Sequence, residues 1–149
     1  QENSSVAMDS NGNFVIAWNS SVQEGQTTYY GVYAQRYNSD GSTNGTEFRV
    51  NTYTTDNQGR PSVAMDINGN FVIAWNSFNQ EGASSVNGIY AQRYKSDGST
   101  NGTEFKVNTY TTNIQKFPSV AMDSNGNFVT TWQGAGTGDS YGISFKIYR

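Results

Sequence analysis

Residues 71–75 read Phe-Val-Ile-Ala-Trp, and this apolar stretch decides the fold. Successive side chains of an extended strand point to opposite faces of a sheet, so the phenylalanine, isoleucine and tryptophan share one face and the valine and alanine share the other. An antiparallel strand with one solvated face would alternate apolar and polar residues. Because both faces are apolar here, the stretch predicts a strand in a sheet that lies between two neighbouring sheets.

The sequence on either side of this stretch predicts a four-stranded antiparallel sheet. Residues 68–70 read Asn-Gly-Asn, and Asn-Gly tolerates the positive φ of a tight hairpin turn. Residues 96–98 read Ser-Asp-Gly and open a further turn. The four predicted strands span residues 62–66, 71–75, 89–94 and 103–107.

The segment Val-Ala-Met-Asp-x-Asn-Gly-Asn-Phe-Val occurs three times, beginning at Val6, Val63 and Val120. The start positions differ by 57 both times (63 − 6 and 120 − 63), so the chain is a tandem repeat whose units bury their faces against their neighbours. A four-stranded antiparallel sheet that repeats and stacks face to face is a β-propeller blade. The alternative is a β-sandwich built from duplicated hairpins.

The repeat predicts an all-β, propeller-type chain with about three blades. We expect blade 1 in residues 1–62, blade 2 in residues 63–119, and an incomplete blade 3 in residues 120–149 that lacks its fourth, outer strand. Closed propellers typically have about four to eight blades. Three blades therefore leave two apolar outer faces and one unpaired strand edge, which further blades or a second copy of the chain would cover.

The repeat also resembles a known group of proteins. Its segments Pro-Ser-Val-Ala-Met-Asp-x-Asn-Gly-Asn-Phe-Val, Gly-Ile-Tyr-Ala-Gln-Arg-Tyr and Glu-Phe-Lys-Val are similar to the sialidase-type (Asp-box) propeller repeat of bacterial surface proteins. In that family the Asp box lies between the third and fourth strands. Here Ser-Asp-Gly stands in that place at residues 39–41 and 96–98, with Phe48 and Phe105 where the family has its aromatic residue, although the aspartate directly follows the serine and the turn is longer. The resemblance implies a blade and no particular activity.

The composition limits the possible functions. Charged residues make up 14% of the 149 residues and aromatic residues another 14%, which is typical of a β-rich protein and not of a disordered one. The net charge of −3 gives no basic surface, so we expect no nucleic acid partner. No apolar run reaches the roughly 18 residues of a membrane span, so we expect no membrane insertion. The abundance of Tyr, Asn and Thr favours an extracellular or cell-surface location.

The available residue types favour a protein that is not an enzyme. The chain has no histidine and no cysteine, which excludes Ser-His-Asp and Cys-His catalysis and zinc bound by histidine or thiolate, and we expect no cofactor. Most of the twelve acidic residues recur at equivalent positions of the repeat. A catalytic centre acts on one asymmetric substrate, so it needs different residues in different blades.

Two polar motifs are candidates for metal binding or modification. Asp-x-Asn-Gly-Asn, at Asp9, Asp66 and Asp123, is similar to oxygen-rich calcium loops but lacks their remaining ligands, so a hairpin turn closed by the aspartate is favoured over a metal site. The pattern Asn-x-Ser/Thr is an acceptor for N-glycosylation and also arises by chance in an Asn-rich chain. It occurs at Asn3, Asn19, Asn44 and Asn101.

The differences between repeats cluster in two segments, residues 21–30 against 78–87 and residues 56–60 against 113–117. The first segment joins the second strand to the third and the other joins one blade to the next, so both emerge at one edge of a propeller, as expected for loops that carry recognition. Aromatic rings and amides at this edge are suited to sugars or to another protein, and drift in loops without contacts is the alternative. The predicted ligand-binding residues are Gln23, Tyr29, Tyr30, Phe78, Asn79, Gln80 and Phe117.

From these features we predict a non-enzymatic extracellular structural or adhesive module that self-associates, as a ring or a filament, through its terminal blades. The alternative is a carbohydrate-binding lectin with repeated sites on the variable-loop face. The expected partners are copies of the chain or further blades of a longer chain and, in the alternative, glycans. Trp18, Trp75 and Trp132 end their strands beside apolar residues, so we expect them in the core and not in a sugar site.

Overall fold

The computed structural model of the chain describes residues 1–21, 29–82, 87–111, 113–136 and 139–149. In these ranges the regular secondary structure is β-strand. None of the described residues belongs to a helix long and apolar enough to cross a membrane. The strands are β1 (Glu2–Met8), β2 (Phe14–Ser20), β3 (Gly31–Tyr37), β4 (Phe48–Arg49), β5 (Gln58–Met65), β6 (Phe71–Phe78), β7 (Asn87–Tyr94), β8 (Phe105–Lys106), β9 (Gln115–Met122), β10 (Phe128–Gly136) and β11 (Asp139–Tyr148).

Three antiparallel sheets follow one another along the chain. The first sheet has the strand order β1-β2-β3-β4, the second has β5-β6-β7-β8, and the third, within the described ranges, has β9-β10-β11. Neighbouring strands in each sheet are consecutive in the sequence, so every sheet is an up-and-down meander. This confirms the all-β, propeller-type arrangement of about three blades, the last with three strands.

The second sheet is buried on both faces, as residues 71–75 predict. On one face Ile73 and Trp75 pack with Val15 of the first sheet. On the other face Val72 packs with Trp132 of the third sheet. All five side chains are buried, and the two interfaces between sheets form the core of the molecule.

Two strands begin earlier than the sequence predicts. β5 begins at Gln58 and β9 begins at Gln115, so both cross the expected blade boundaries. The register of β5 against β6 shifts between Gly59 and Ser62, which marks a β-bulge around Pro61. Proline has no N–H for the ladder, and a bulge is a place where a strand tolerates it. The division of the chain into the three repeat units remains a prediction.

The fourth strands are shorter than the predicted stretch 103–107. β8 comprises two residues, and just beyond it the N–H of Ile89 donates to Asn108 Oδ1 at 2.7 Å. In the first sheet the N–H of Val32 donates to Asn51 Oδ1 at the same distance of 2.7 Å. In both blades a side-chain amide oxygen therefore accepts the N–H in place of a main-chain oxygen, and the regular ladder of main-chain hydrogen bonds ends there.

The Asp-x-Asn-Gly-Asn motifs form tight turns. Asp66 Oδ1 accepts the N–H groups of Asn68 at 2.8 Å and Asn70 at 2.9 Å, and Oδ2 accepts Nδ2 of Asn70 at 2.8 Å. Asp9 and Asp123 make the same three hydrogen bonds in their own turns. Within the described ranges, no three acidic, histidine or cysteine side chains are grouped so that they could hold a metal ion. These carboxylates serve the turns.

Candidate functional site

The strands end on two opposite sides of the stacked sheets. We call these two sides edges, and they differ in character. The Asp-x-Asn-Gly-Asn turns lie at one edge. The strand ends that flank the segments differing between repeats lie at the opposite edge, which we call the variable-loop edge. Because consecutive strands are antiparallel, the ends of β2 and β6 and the starts of β1, β3, β5 and β7 all meet there.

A groove with a volume of about 270 Å³ opens at the variable-loop edge between the first and second sheets. We call it the interblade groove. Its lining combines aromatic residues and amides with two charged residues, Glu2 and Arg60. The aromatic and amide residues of the lining are Tyr30, Phe78, Asn3, Asn19, Asn57, Gln58, Asn76 and Asn87.

Asn57 fixes the two aromatic residues of the interblade groove. Its Oδ1 accepts the N–H of Tyr30 at 3.1 Å, and its main-chain oxygen accepts the N–H of Phe78 at 3.0 Å. The N–H of Gln58 donates to the main-chain oxygen of Tyr30 at 2.9 Å. The connector between the blades therefore joins the start of β3 to the end of β6 and brings both aromatic residues to one groove.

Asn19 fastens the wall that the first sheet contributes. Its Nδ2 donates to Glu2 Oε1 at 3.2 Å, and its Oδ1 accepts the main-chain N–H of Arg60 at 3.4 Å. In the next repeat the equivalent Asn76 accepts the main-chain N–H of Phe117 at 3.1 Å. The same amide thus joins the first sheet to the second and the second sheet to the third.

The four Asn-x-Ser/Thr motifs differ in their accessibility. Asn19 is buried and its side chain is held in hydrogen bonds, including one from Asn3 Nδ2 at 3.1 Å, so a glycan on Asn19 is incompatible with the folded chain. Asn44 is half-buried, whereas Asn3 and Asn101 are exposed. The prediction of a glycosylation site at Asn19 is therefore corrected, and the other three positions remain predictions.

The predicted aromatic ligand residues lie at three places on the variable-loop edge. Tyr30 and Phe78 line the interblade groove. Tyr29 is exposed beside Tyr30 and is not part of the lining. Phe117 lies at the junction of the second and third sheets, with Arg60 Cζ 4.5 Å and Lys116 Nζ 5.0 Å from the centre of its ring. Only two of the four aromatic residues therefore share one groove.

The predicted amide ligands have structural partners. Asn79 Nδ2 donates to Asp56 Oδ2 at 3.1 Å. Gln80 Oε1 accepts the hydroxyl of Ser77 at 2.6 Å, and its Nε2 donates to Glu104 Oε1 at 2.6 Å. These amides hold the loop after β6 against its neighbours. Gln23 lies outside the described residues.

Gln58 is the most unusual residue of the groove, and it was not among the predicted site residues. Gln58 is fully buried, and neither Oε1 nor Nε2 has a hydrogen-bond partner among the described residues. Asn87 Oδ1, in the same lining, is also buried and unpartnered within those residues. One signal was available, because glutamine is the one residue type that residues 56–60 and 113–117 share at the same position.

The interblade groove presents mostly neutral groups, and Tyr90, which is not part of its lining, is neutral as well. On the face of the second sheet towards the first, burial raises the pKa of Tyr90 to about 12, and the carboxylates of Glu81 and Glu104 add to the effect. Tyr90 is therefore neutral at physiological pH. Apart from Glu2 and Arg60, the lining of the interblade groove is uncharged, so it offers amide hydrogen bonds and aromatic surface to a ligand.

The chain is similar in fold to solved structures of an endo-arabinase, a sialidase and an arabinanase. The chain is similar over 99% of its length to the endo-arabinase from Bacteroides thetaiotaomicron, with 17% identity and a TM-score of 0.58. It is similar over 99% to a Hadza microbial sialidase, with 11% identity and a TM-score of 0.67. It is similar over 97% to the native arabinanase from Bacillus subtilis, with 14% identity and a TM-score of 0.53. At these identities the likeness shows the fold alone, and the fold is a β-propeller.

The chain spans 55%, 35% and 52% of the lengths of these three proteins. No protein-family model and no curated protein sequence matches the chain. The propeller part of the resemblance drawn from the sequence is thus confirmed by structure. The Asp-box part has no such support.

These neighbours correct two predictions. The prediction of a non-enzymatic structural or adhesive module that self-associates is contradicted, and so is the expectation that the protein is not an enzyme, because solved structures with this fold include an endo-arabinase, an arabinanase and a sialidase. The repeated acidic residues misled for a physical reason. Asp9, Asp66 and Asp123 recur because each closes the same turn, so their repetition describes the scaffold and carries no information about a catalytic centre.

Proposed function

We propose that the chain is a section of an extracellular carbohydrate-processing β-propeller, and that its variable-loop edge faces the sugar. The observation that carries the proposal is the interblade groove, where aromatic rings and amides meet on a fold that the endo-arabinase and the sialidase share. A sugar has apolar C–H faces and hydroxyl edges. Phe78 and Tyr30 offer ring surface to the former, and Asn57 and Asn76 offer donors and acceptors to the latter.

In this proposal the chain supplies the sugar-binding wall of a larger catalytic unit. Hydrolysis of a glycosidic bond commonly uses two carboxyl groups on opposite sides of the bond. Glu2 is the one carboxylate among the described lining residues of the interblade groove. Further blades would contribute the other groups, in keeping with the share of the neighbours' lengths that the chain spans.

The outer face of the third sheet supports the presence of further blades. In the second sheet Ile89 and Ala91 are fully buried, because the third sheet covers them. The equivalent residues of the third sheet are Ile143, which is 75% exposed, and Phe145, which is 66% exposed. An apolar face of this kind is expected to be covered, and in this repeat the cover is the next blade.

The resemblance to the Asp-box repeat is also part of this proposal. Between β3 and β4, Asp40 Oδ1 accepts the N–H of Ser42 at 2.9 Å and its hydroxyl at 2.6 Å. Asp97 makes the same two hydrogen bonds with Ser99 between β7 and β8. We infer that these turns correspond to the Asp box of sialidase-type blades. Their position after the third strand of each blade supports the correspondence.

Hydrolysis and binding assays test the proposal. The chain, alone and with the remaining blades of its propeller, is incubated with arabinan, xylan and sialylated glycans, and released sugars are separated by chromatography. We expect the chain alone to bind one of these carbohydrates without cleaving it, and the completed propeller to release sugar. Absence of binding to every carbohydrate by both forms would contradict the proposal.

A further inference from the structure

Gln58 and Trp75 stand at the repeat positions that Gln115 and Trp132 occupy in the third sheet. There Trp132 Nε1 donates to Gln115 Oε1 at 2.8 Å. In the second sheet Gln58 Oε1, Gln58 Nε2 and Trp75 Nε1 are all buried without a hydrogen-bond partner among the described residues. The same two residue types therefore pair in one blade and stay apart in the other.

A serine in place of glycine explains the difference. A Cβ at Gly134 would overlap the side-chain amide of Gln115, so the pairing in the third sheet depends on glycine at that position. The equivalent residue of the second sheet is Ser77, which is buried, and its Cβ closes the place that a Gln115-like side chain would take. The hydroxyl of Ser77 donates to Gln80 Oε1 at 2.6 Å, so it does not satisfy Gln58.

An unpartnered buried amide is destabilising and rare, and it therefore calls for a reason. Gln58 lines the interblade groove, and Asn87 adds a second unpartnered oxygen to the same lining. An amide donates and accepts hydrogen bonds at once, and so does a hydroxyl group. We propose that the interblade groove binds one neutral sugar unit whose hydroxyls pair with Gln58 and Asn87, an inference that rests on the proposed function.

The size and chemistry of the groove define the ligand. Its volume of about 270 Å³ lies just below the roughly 300–1,000 Å³ of sites for larger ligands, so it fits a single sugar unit and not a chain. Gln58 and Asn87 carry uncharged amides, which donate and accept hydrogen bonds. They therefore match hydroxyls, which do the same, better than a carboxylate, which only accepts. Phe78 offers its exposed ring to the apolar face of the unit. Gln58 is shielded from solvent in the free chain, so binding includes a shift of the lining that uncovers it.

Calorimetric titration of the full chain with an arabino-oligosaccharide, a xylo-oligosaccharide and sialyllactose tests the inference. We expect a neutral oligosaccharide to bind with one site per chain and Gln58→Leu to weaken it by about tenfold or more. The matched control is Gln115→Leu, which removes the partner of Trp132 and leaves the affinity unchanged. In thermal melts without sugar, Gln115→Leu lowers the Tm, whereas Gln58→Leu leaves it unchanged or raises it, because no hydrogen bond is lost.

Ser77→Gly is the second variant. It opens the place beside Trp75, so Gln58 should pair with the indole as Gln115 does, which weakens sugar binding and slows hydrogen exchange of the Trp75 indole N–H. Three results would overturn the inference and leave the proposed function standing. The first is that Gln58→Leu binds a neutral sugar as well as the unmodified chain does. The others are that Gln58→Leu lowers the Tm as much as Gln115→Leu does, or that the chain prefers sialyllactose. Binding of a probe by the completed propeller but not by the chain alone would also overturn the inference alone. Failure of both forms to bind any of the three probes would instead overturn the proposed function, and the inference with it.

Discussion

Glu104 Oε2 accepts two hydrogen bonds from Thr52, one from the main-chain N–H at 2.7 Å and one from the hydroxyl at 3.0 Å. Glu104 lies next to β8 in the second sheet, and Thr52 lies in the connector that leaves the first sheet. The other oxygen, Oε1, accepts Gln80 Nε2 at 2.6 Å in the loop after β6. One carboxylate therefore joins the connector, the second blade and a loop of the variable-loop edge.

Replacing this carboxylate should loosen the contact between the first two blades. Glu104→Ala removes the acceptor of three hydrogen bonds, and we expect the free energy of unfolding to fall by about 1–3 kcal/mol. Urea unfolding followed by tryptophan fluorescence measures the change. Glu104→Gln, which keeps the shape and one acceptor oxygen, should lose less. Equal stability of the alanine variant and the unmodified chain would show that the contact contributes nothing in solution.

Two isoleucines at equivalent repeat positions test the stacking of the blades. Ile89 is fully buried by the third sheet, so Ile89→Ala should destabilise the chain by about 2–5 kcal/mol. Ile143 is 75% exposed, so Ile143→Ala should change stability by less than about 0.5 kcal/mol. The same unfolding assay compares the two variants. Similar losses in both would mean that the outer face of the third sheet is covered in the isolated chain.

The arrangement of strands could be predicted from the sequence because it depends on local patterns. The uniformly apolar residues 71–75 indicated two buried faces, and the Asn-Gly turns indicated the hairpins. The starts of β5 and β9 could not be predicted in this way, since each strand continues across a proline by means of a bulge. Arg60 and Phe117, the residues before these prolines, have φ of 54° and 57°. This left-handed conformation is uncommon for residues other than glycine, so the sequence did not predict it.

Alkaline conditions should unfold the chain through its buried tyrosines. Burial raises the pKa of Tyr90 to about 12 from an ordinary value of 10.0, and burial together with Glu104 also raises the pKa of Tyr94. The neutral forms are favoured in the folded state, so their contribution is complete below pH 10 and is lost as the pH rises towards 12. Thermal melts from pH 8 to 12 should show a falling Tm. Tyr90→Phe should flatten this fall, and an unchanged slope would rule out Tyr90 as its source.

Acidic conditions should act on the turns. The hydrogen bond from the Asn127 side chain holds the pKa of Asp123 below its ordinary value of 3.8, despite some desolvation. The hydrogen bond from the Ser42 side chain likewise lowers the pKa of Asp40. These carboxylates stabilise the fold above pH 3.8, and the contribution disappears as the pH falls below it. We expect the Tm to drop between pH 4 and 2. Asn127→Ala, which removes the side-chain donor to Asp123 and leaves the two main-chain donors, should make the drop shallower, and an identical profile would contradict this assignment.

The candidate site was predictable only in part. Variation between repeats pointed to the variable-loop edge and to Tyr30 and Phe78, which do line the interblade groove. It also pointed to Asn79 and Gln80, whose amides are occupied by neighbours that no repeat pattern reveals. Gln58 can be recognised as a site residue only by comparing the second sheet with the third, since its lack of a partner follows from the serine at residue 77. The relationship depends on the strand register, which places Ser77 opposite Gln58 in the second sheet and Gly134 opposite Gln115 in the third.

The most direct measurement is the affinity of a neutral oligosaccharide for two matched aromatic variants. Phe78 lines the interblade groove and is 38% exposed, whereas Tyr110 is 39% exposed and lies outside that lining. By isothermal titration, Phe78→Ala should weaken binding by about tenfold through the loss of ring contact with the sugar, and Tyr110→Ala should leave it unchanged. Equal affinities of both variants and the unmodified chain would show that the sugar binds elsewhere, and would contradict the account.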